Sequence, residues 1–380
     1  MIKYLENIKN NNMKITYKLN NLSHGIKFCN NKESKDIIVE LKKHYSDENL
    51  LVILDEKLGK NFTKYLIKDL STSDKKISIM RVKANKKNKN EKLLFKILDE
   101  LIKRGFTKKS VIISCGGGVV GDVCALASSL YLRGLIYYHI PTTMTAVVDS
   151  CIGGKTGINY KDIINSVGNY YHPRMVFISK NVLNLIPKRE FLSGLPEIMK
   201  SGLINDKKIL LLLNNNKNKC LSRNYKFLSK LIYMTLKTKI KFFQKDIYEN
   251  STRLNLNFGH TFAHAIEMTL KSKKEDVIRH GEAVGIGMLC EIYYIEGKSK
   301  NFDLLKSLLL KYELPTNINK FIGVKNKRNI SNQIFKNIFL DKKRINKFPR
   351  IIKIIKIGKS KIIEMKNNTR IKQTINKVII

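Results

Sequence analysis

Residues 111–134 read VIISCGGGVVGDVCALASSLYLRG. An apolar run leads into Cys115-Gly116-Gly117-Gly118-Val119-Val120-Gly121-Asp122, and a segment with the look of a helix follows. Four glycines in six positions give up side chains and backbone order. The stretch satisfies G-x-G-x-x-G between a strand and a helix, the context that motif requires. Glycine there lets backbone N–H groups approach a pyrophosphate, and the helix start adds partial positive charge. The competing reading is a tight turn with close helix packing, and this stretch alone does not separate the two. A dinucleotide site also needs an acid for the ribose, normally about twenty residues later. That region reads Tyr137-Tyr138-His139. The acid at a suitable strand end is Asp55, far upstream.

Outward from the glycines the pattern is αβ. LLVILD, KISIMRV, SVIISC and IYYHIPTT read as strands, and EKLLFKILDELIKRGF as an amphipathic helix with Gly105 at its C-cap. YLENIKNNNMKITYKL suggests one further short strand. Strands alternating with helices imply a parallel sheet. From about Pro187 the segments are long and helix-periodic. The expectation is an α/β, Rossmann-like nucleotide-binding domain over 1–186 and an all-α domain over 187–380.

Composition excludes several classes. No run approaches the roughly 20 apolar residues of a membrane span, and MIKYLENIKNNN has no secretory core. Cys29, Cys115, Cys124, Cys151, Cys220 and Cys290 are scattered without a C-x-x-C pair, which favours buried thiols in a reducing cytoplasm. The net charge of +41 invites a nucleic-acid partner. The lysines, however, lie in asparagine-lysine tracts, and the abundant residues have codons rich in A and T. Compositional drift is the better reading, and no nucleic-acid partner is expected.

HIPTTMTAVVDSCIGGKTGIN adds polar groups beyond a strand. Thr142 and Thr143 offer hydroxyls to a ligand. GGKTG lacks the glycine spacing of a P-loop. Lys155, between glycines and near Asp149, reads instead as a lysine held against an anion.

The helical half has three histidines in NFGHTFAHAIE and RHGEAVGIGM. His260 and His264 are four apart and share a helix face, a spacing that suits zinc. His280 precedes another helix, and Glu197 lies in LPEIMKSG. One glutamate and two histidines leave a catalytic metal an open position. Spacing alone leaves open which two histidines those are.

Taken in order, GGGVVGD, RG…IPTT…VDSCIGGKTGIN, LPEIMKSGLI, RLNLNFGHTFAHAIE and HGEAVGIGM resemble the 3-dehydroquinate synthase family. The resemblance is strong over 93–290. It implies an NAD-binding α/β domain, a helical metal domain, an active site in the cleft between them, and a homodimer. It also implies a carbon–oxygen lyase reaction. 3-Deoxy-D-arabino-heptulosonate 7-phosphate (DAHP) becomes 3-dehydroquinate and phosphate, with NAD transiently reduced, in the shikimate route to aromatic amino acids. Zinc or cobalt would sit on Glu197, His260 and His280. Lys200, Lys239, Arg253, Asn257 and His264 would meet carboxylate and phosphate, with Asp149, Lys155, Asn165 and Glu249 completing the pocket. Arg133 would reach a neighbouring subunit, and Lys342 or Lys343 would close over the phosphate. Asp55 would hold the adenosine ribose. Lys89, Gly117, Gly118, Val119, Val120, Gly121, Asp122, Thr142, Thr143, Lys155, Val182, Leu183, Asn184 and Leu185 would line the cofactor.

Two positions depart from the family pattern: Lys86 replaces a ribose-binding glutamate, and Ile164 replaces a lysine beside Asn165. The rival readings are a sister cyclase of the 2-deoxy-scyllo-inosose or valiolone type, and a metal- and NAD-dependent glycerol-type dehydrogenase.

Overall fold

A computed structural model of the 380-residue chain describes residues 13–19, 21–30, 33–44, 49–70, 76–161, 163–270, 277–322, 327–340 and 348–380. The chain forms two compact units, Met1–Ile186 and Pro187–Ile380.

In chain order the first unit holds β1 (Lys14–Leu19), β2 (Leu22–Cys29), α1 (Glu33–His44), β3 (Leu50–Asp55), α2 (Lys60–Leu70), β4 (Ile77–Val82) and α3 (Glu91–Lys103). Then come β5 (Val111–Gly116), α4 (Gly118–Leu130), β6 (Ile136–Pro141), β7 (Lys155–Tyr160), β8 (Ile163–Tyr170), β9 (Met175–Ser179) and α5 (Lys180–Leu185). Seven strands form one sheet in the order β1-β2-β9-β6-β5-β3-β4. Among the described residues of this sheet, β1 pairs with β2 antiparallel and the other pairings are parallel.

β3, β5 and β9 are buried along their whole length, which is why they are apolar without alternation. Leu51, Ile53 and Ile112 pack with Leu94, Ile97 and Leu101 of α3 and Val120 and Val123 of α4. Leu50, Val52, Val111 and Ile113 pack with Ile37 and Leu41 of α1 and Leu66 and Leu70 of α2. Successive strand residues thus feed opposite faces, as a strand period of two requires.

The strand order reverses at β3. β4 lies on one side of it and β5 on the other, with β6 beyond β5. The carboxyl ends of β3 and β5 therefore flank a topological switch point, where α/β sheets open a ligand crevice.

β7 and β8 form a separate antiparallel hairpin, which the sequence reading does not anticipate. Its turn at Lys161 has φ +44 without the usual glycine or asparagine, so the common hairpin signal is missing.

The second unit begins with α6 (Lys188–Ser193), α7 (Leu195–Ile204), α8 (Lys207–Asn215), α9 (Lys217–Leu221), α10 (Tyr225–Phe243), α11 (His260–Thr269), α12 (His280–Glu296), α13 (Lys300–Lys311) and α14 (Lys327–Phe339). It ends with β10 (Arg350–Lys356), β11 (Lys359–Glu364) and α15 (Asn368–Thr374). The unit is helical as expected, with the β10–β11 ribbon added.

α12 is the central helix. Every residue from Gly281 to Ile292 is buried, which is the signature of a helix apolar all round. Its glycines allow backbone contact with neighbours. A Cβ on Gly287 would stand 2.0 Å from the Gly259 carbonyl oxygen, and one on Gly281 would stand 1.5 Å from that of Ser193. Glu291, fully buried, ties this centre together. Its two carboxylate oxygens accept from the backbone N–H groups of Gly259 and Ile352, each at 2.8 Å.

Candidate active site

The second unit brings three helix starts together. Glu197 is the third residue of α7, and His260 and His280 are the first residues of α11 and α12. One ligand atom from each lies within 4.8 Å of the others. Glu197 Oε1 stands 3.7 Å from His260 Nε2 and 3.6 Å from His280 Nε2. The far ring nitrogens are engaged elsewhere. His260 Nδ1 faces the Phe258 carbonyl at 3.2 Å, and His280 Nδ1 faces Glu267 Oε2 at 3.1 Å. With each Nδ1–H donating to those oxygens, the Nε2 of each ring in its neutral form is left as an acceptor on the side of Glu197. One carboxylate oxygen and two imidazole nitrogens form a donor set that zinc or cobalt accepts, so the residues fit a divalent ion.

Burial, reinforced by Lys200, holds His260 well below the ordinary imidazole range, which keeps it neutral as a ligand must be. Burial also pulls on His280, but Glu267 and Glu197 outweigh it and raise that ring to about 10. The two carboxylates that favour a proton on His280 equally favour a metal cation in its place. Lys200, 2% exposed, presses its ammonium on Glu197 Oε2 one turn along α7.

His264 is exposed on α11. Its ring centre lies 5.6 Å from that of His260 and 6.3 Å from that of His280. It borders the donor set without joining it.

The remaining second-unit candidates stand on elements packed around α7. α10, with the buried Lys239, and the 3₁₀ turn Thr252–Asn257 each contact α7 and one another. Arg253 is buried, donates from Nη1 to the Ile247 carbonyl at 2.6 Å, and lies over the Phe243 ring. Asn257 Nδ2 donates to Glu249 Oε1 at 3.0 Å. Asp246 organises this loop by accepting from the backbone N–H groups of Asn250, Ser251 and Arg253. Lys342 and Lys343 lie outside the described residues.

In the first unit the strand order gathers what the sequence scatters. Leu54 pairs with Cys115, so Asp55 ends its strand beside Gly116. On the other side of β5, Thr142 N–H donates to the Gly116 carbonyl at 2.9 Å. Asp55, the glycine turn and Thr142-Thr143 therefore line the ends of three adjacent strands. Burial pushes the Asp55 carboxyl up, against a backbone N–H from Lys57 that favours its anion.

The glycines answer first to the protein's own packing. A Cβ at Gly117 would stand 2.9 Å from Thr143, and one at Gly121 would stand 3.2 Å from the His139 ring. Beneath that ring, Ser114 Oγ bonds both His139 Nδ1 and Tyr137 Oη at 2.7 Å. Gly117 caps α4 without a side-chain hydrogen bond, and Gly118 and Val119 are partly exposed. The first N–H groups of α4 thus fit a phosphate anion. Val120 is buried. Lys89, also buried, places its ammonium against both Asp122 and Asn165. This joins three sequence candidates at one point and gives Asp122 a partner. Asn159 holds the departing loop: its Nδ2 donates to the Lys86 carbonyl at 3.2 Å and its N–H to the Lys89 carbonyl at 2.8 Å.

Lys155 and Arg133 are exposed, as is Ile164, and Asp149 sits in a short π turn, Ala146–Ser150. Val182 and Leu183 turn into the core, leaving Asn184 and Leu185 exposed on α5.

Sequence reading missed Glu267, Asp246 and Glu291. Glu267 lies seven residues after His260, hence on its helix face, and that spacing is a usable signal. Glu291 and Asp246 serve backbone N–H groups that no sequence pattern marks.

Comparison with known proteins then decides the family. Residues 79–193 match the 3-dehydroquinate synthase N-terminal family model, and residues 194–344 match the 3-dehydroquinate synthase C-terminal model. The chain belongs to the 3-dehydroquinate synthase family. It is 38% identical to 3-dehydroquinate synthase of Pelagibacter ubique, over 84% of this chain and 86% of that one. It is 36% identical to that of Clostridium kluyveri, over 86% and 88% respectively. Among solved structures it resembles 2-epi-5-epi-valiolone synthase from Streptomyces hygroscopicus with NAD+ and Zn2+ bound. That likeness has a TM-score of 0.82 at 20% identity and covers 95% of this chain and 98% of that one. A 2-deoxy-scyllo-inosose synthase complexed with carbaglucose-6-phosphate, NAD+ and Co2+ also scores 0.82, at 22% identity over 97% and 100%. These structures establish the 3-dehydroquinate synthase-like fold, and the named relatives carry the activity class of a carbon–oxygen lyase acting on phosphates.

Proposed function

We propose that this chain converts DAHP to 3-dehydroquinate and phosphate, using NAD and a divalent ion, zinc or cobalt. The observation that supports it most is the Glu197–His260–His280 donor set with Lys200 held against its carboxylate. When bound, the ion would acidify a substrate hydroxyl and NAD would take up and return a hydride.

Glu197 Oε1 and the two Nε2 atoms would hold the ion, with both imidazoles kept in the right tautomer by their Nδ1–H bonds. Lys200 Nζ, buried beside Glu197, is a cation available to the departing phosphate or to a proton transfer on the substrate. Arg253, Lys239, Asn257 and His264 would bind carboxylate and phosphate. Asp246 would preset the Arg253 turn, so that little ordering remains on binding. Glu249 would fix the Asn257 amide. From the first unit we assign Asp149, Lys155 and Asn165 to the substrate. Asp55, Lys89, the α4 start at Gly117–Asp122, Thr142, Thr143 and Val182–Leu185 are assigned to NAD. Lys343 is assigned to the phosphate and Arg133 to the partner's site in a cytoplasmic homodimer.

The test is phosphate release from DAHP. It should require NAD, stop on chelation and return with zinc or cobalt, without net NADH. Stoichiometric NADH, or release indifferent to chelator, would sink the reading.

A further inference from the structure

His260 and His280 are not equivalent ligands. His260 gives its Nδ1–H to a neutral backbone carbonyl, whereas His280 gives its own to a carboxylate, Glu267 Oε2, at 3.1 Å. The Glu267 side chain is 15% exposed and that of His280 31%. Water screens this pair only partly, and its charge is felt by the ring.

We propose that Glu267 is a positioning residue for the metal ligand His280, fixing its tautomer and ring orientation and raising its donor strength. The inference rests on the metal reading of Glu197, His260 and His280. Three observations carry it. Glu267 contacts one ring nitrogen and Glu197 faces the other, so the two carboxylates flank the imidazole. Glu267 stands on α11 in register with His260, while His280 opens α12. The contact therefore also spans the two helices whose starts must stay together. Finally, the site gathers three helix N-termini and the Lys200 ammonium, all positive in sign. Among the described residues Glu197 is the carboxylate of the donor set that offsets this field for a cation, and a second carboxylate behind His280 shifts the balance further toward metal binding. Partners of this kind typically govern metal affinity by about 10–100-fold.

The experiment measures zinc affinity of the full chain by competition with a chromophoric chelator, alongside thermal melting of the metal-free protein. The set comprises wild type, Glu267→Gln, Glu267→Ala and His280→Ala. Gln keeps an acceptor for Nδ1–H and loses the charge, while Ala loses both. The expected order is wild type tightest, Glu267→Gln intermediate and Glu267→Ala weakest by about 10–100-fold, with metal-free melting little changed. Zinc affinity equal in wild type and Glu267→Ala overturns the proposal and leaves the metal site standing. So does a fall in metal-free melting with unchanged zinc affinity, since that marks a packing residue. Wild type binding no more tightly than His280→Ala overturns the metal reading and this proposal together. If Glu267→Ala does not fold, the Gln variant decides, and wild-type affinity there counts against the charge-based role.

Discussion

The Lys200 ammonium rests on Glu197, one helical turn away, with side chains 3% and 1% exposed. Neither has water to screen it. Removing Lys200 takes from the buried Glu197 its nearest cation and leaves it the His280 side, and breaking a buried pair typically costs about 3–5 kcal/mol. Lys200→Met should therefore lower the melting temperature of the metal-free protein markedly. A divalent ion would replace the lost positive charge, so zinc should stabilise the variant more than wild type. Melting scans with and without zinc check this, and equal zinc shifts would count against a metal at Glu197.

Asp55 ends β3 beside Gly116, at the switch point of the sheet. If its carboxylate accepts from the ribose of NAD, Asp55→Ala removes one or two charge-assisted hydrogen bonds. NAD affinity should fall by about 10–100-fold while zinc affinity stays put. Calorimetric titration with NAD reads the first and chelator competition the second. A loss in both would point to general disruption.

Arg253 binds the Ile247 carbonyl with one arm of its guanidinium and stacks on Phe243. Lysine has one compact charge and cannot do both while gripping a carboxylate. Arg253→Lys should cut kcat/KM for DAHP by about 10–100-fold. On the wild type, glucose 6-phosphate and sedoheptulose 7-phosphate, which lack that carboxylate, should release little phosphate. Turnover of either at the DAHP rate would favour a sister cyclase.

Burial pushes the Glu291 carboxyl from 4.5 up to about 8, against backbone donors that favour its anion. Below about pH 4 the group is protonated in both folded and unfolded chains and contributes no pH dependence. As pH rises, the unfolded chain releases this proton first. The folded state therefore loses stability up to about pH 8, where the loss levels off. Glu291→Gln lacks this titration, so the stability difference should drift toward the variant between about pH 5 and 8. Denaturant titrations across that range test it, and a constant difference refutes it.

Local patterns were legible where a single element carries the whole signal. β3 and β5 are continuous apolar runs because both faces are covered, and α3 shows its buried face at Leu94, Ile97 and Leu101. The β7–β8 hairpin was not legible, since its turn residue Lys161 lacks turn chemistry and β8 is exposed along nearly its whole length. The β10–β11 ribbon escaped for a related reason: its strands, RIIKIIK and KSKIIE, lack a clean period-two alternation and sit inside a helical unit.

From sequence alone came the residue types: a glycine turn between strand and helix, three histidines near helix starts, and a glutamate one turn before a lysine. Those depend on spacings of a few residues, which backbone periodicity sets directly. Spacing left open which histidines face Glu197, a choice that only the family resemblance implied, and how Asp55 comes to lie beside the glycines was left to tertiary structure. The strand order and the glycine-to-glycine approach of α11 and α12 are packing outcomes between segments far apart in the chain, and no local periodicity encodes them.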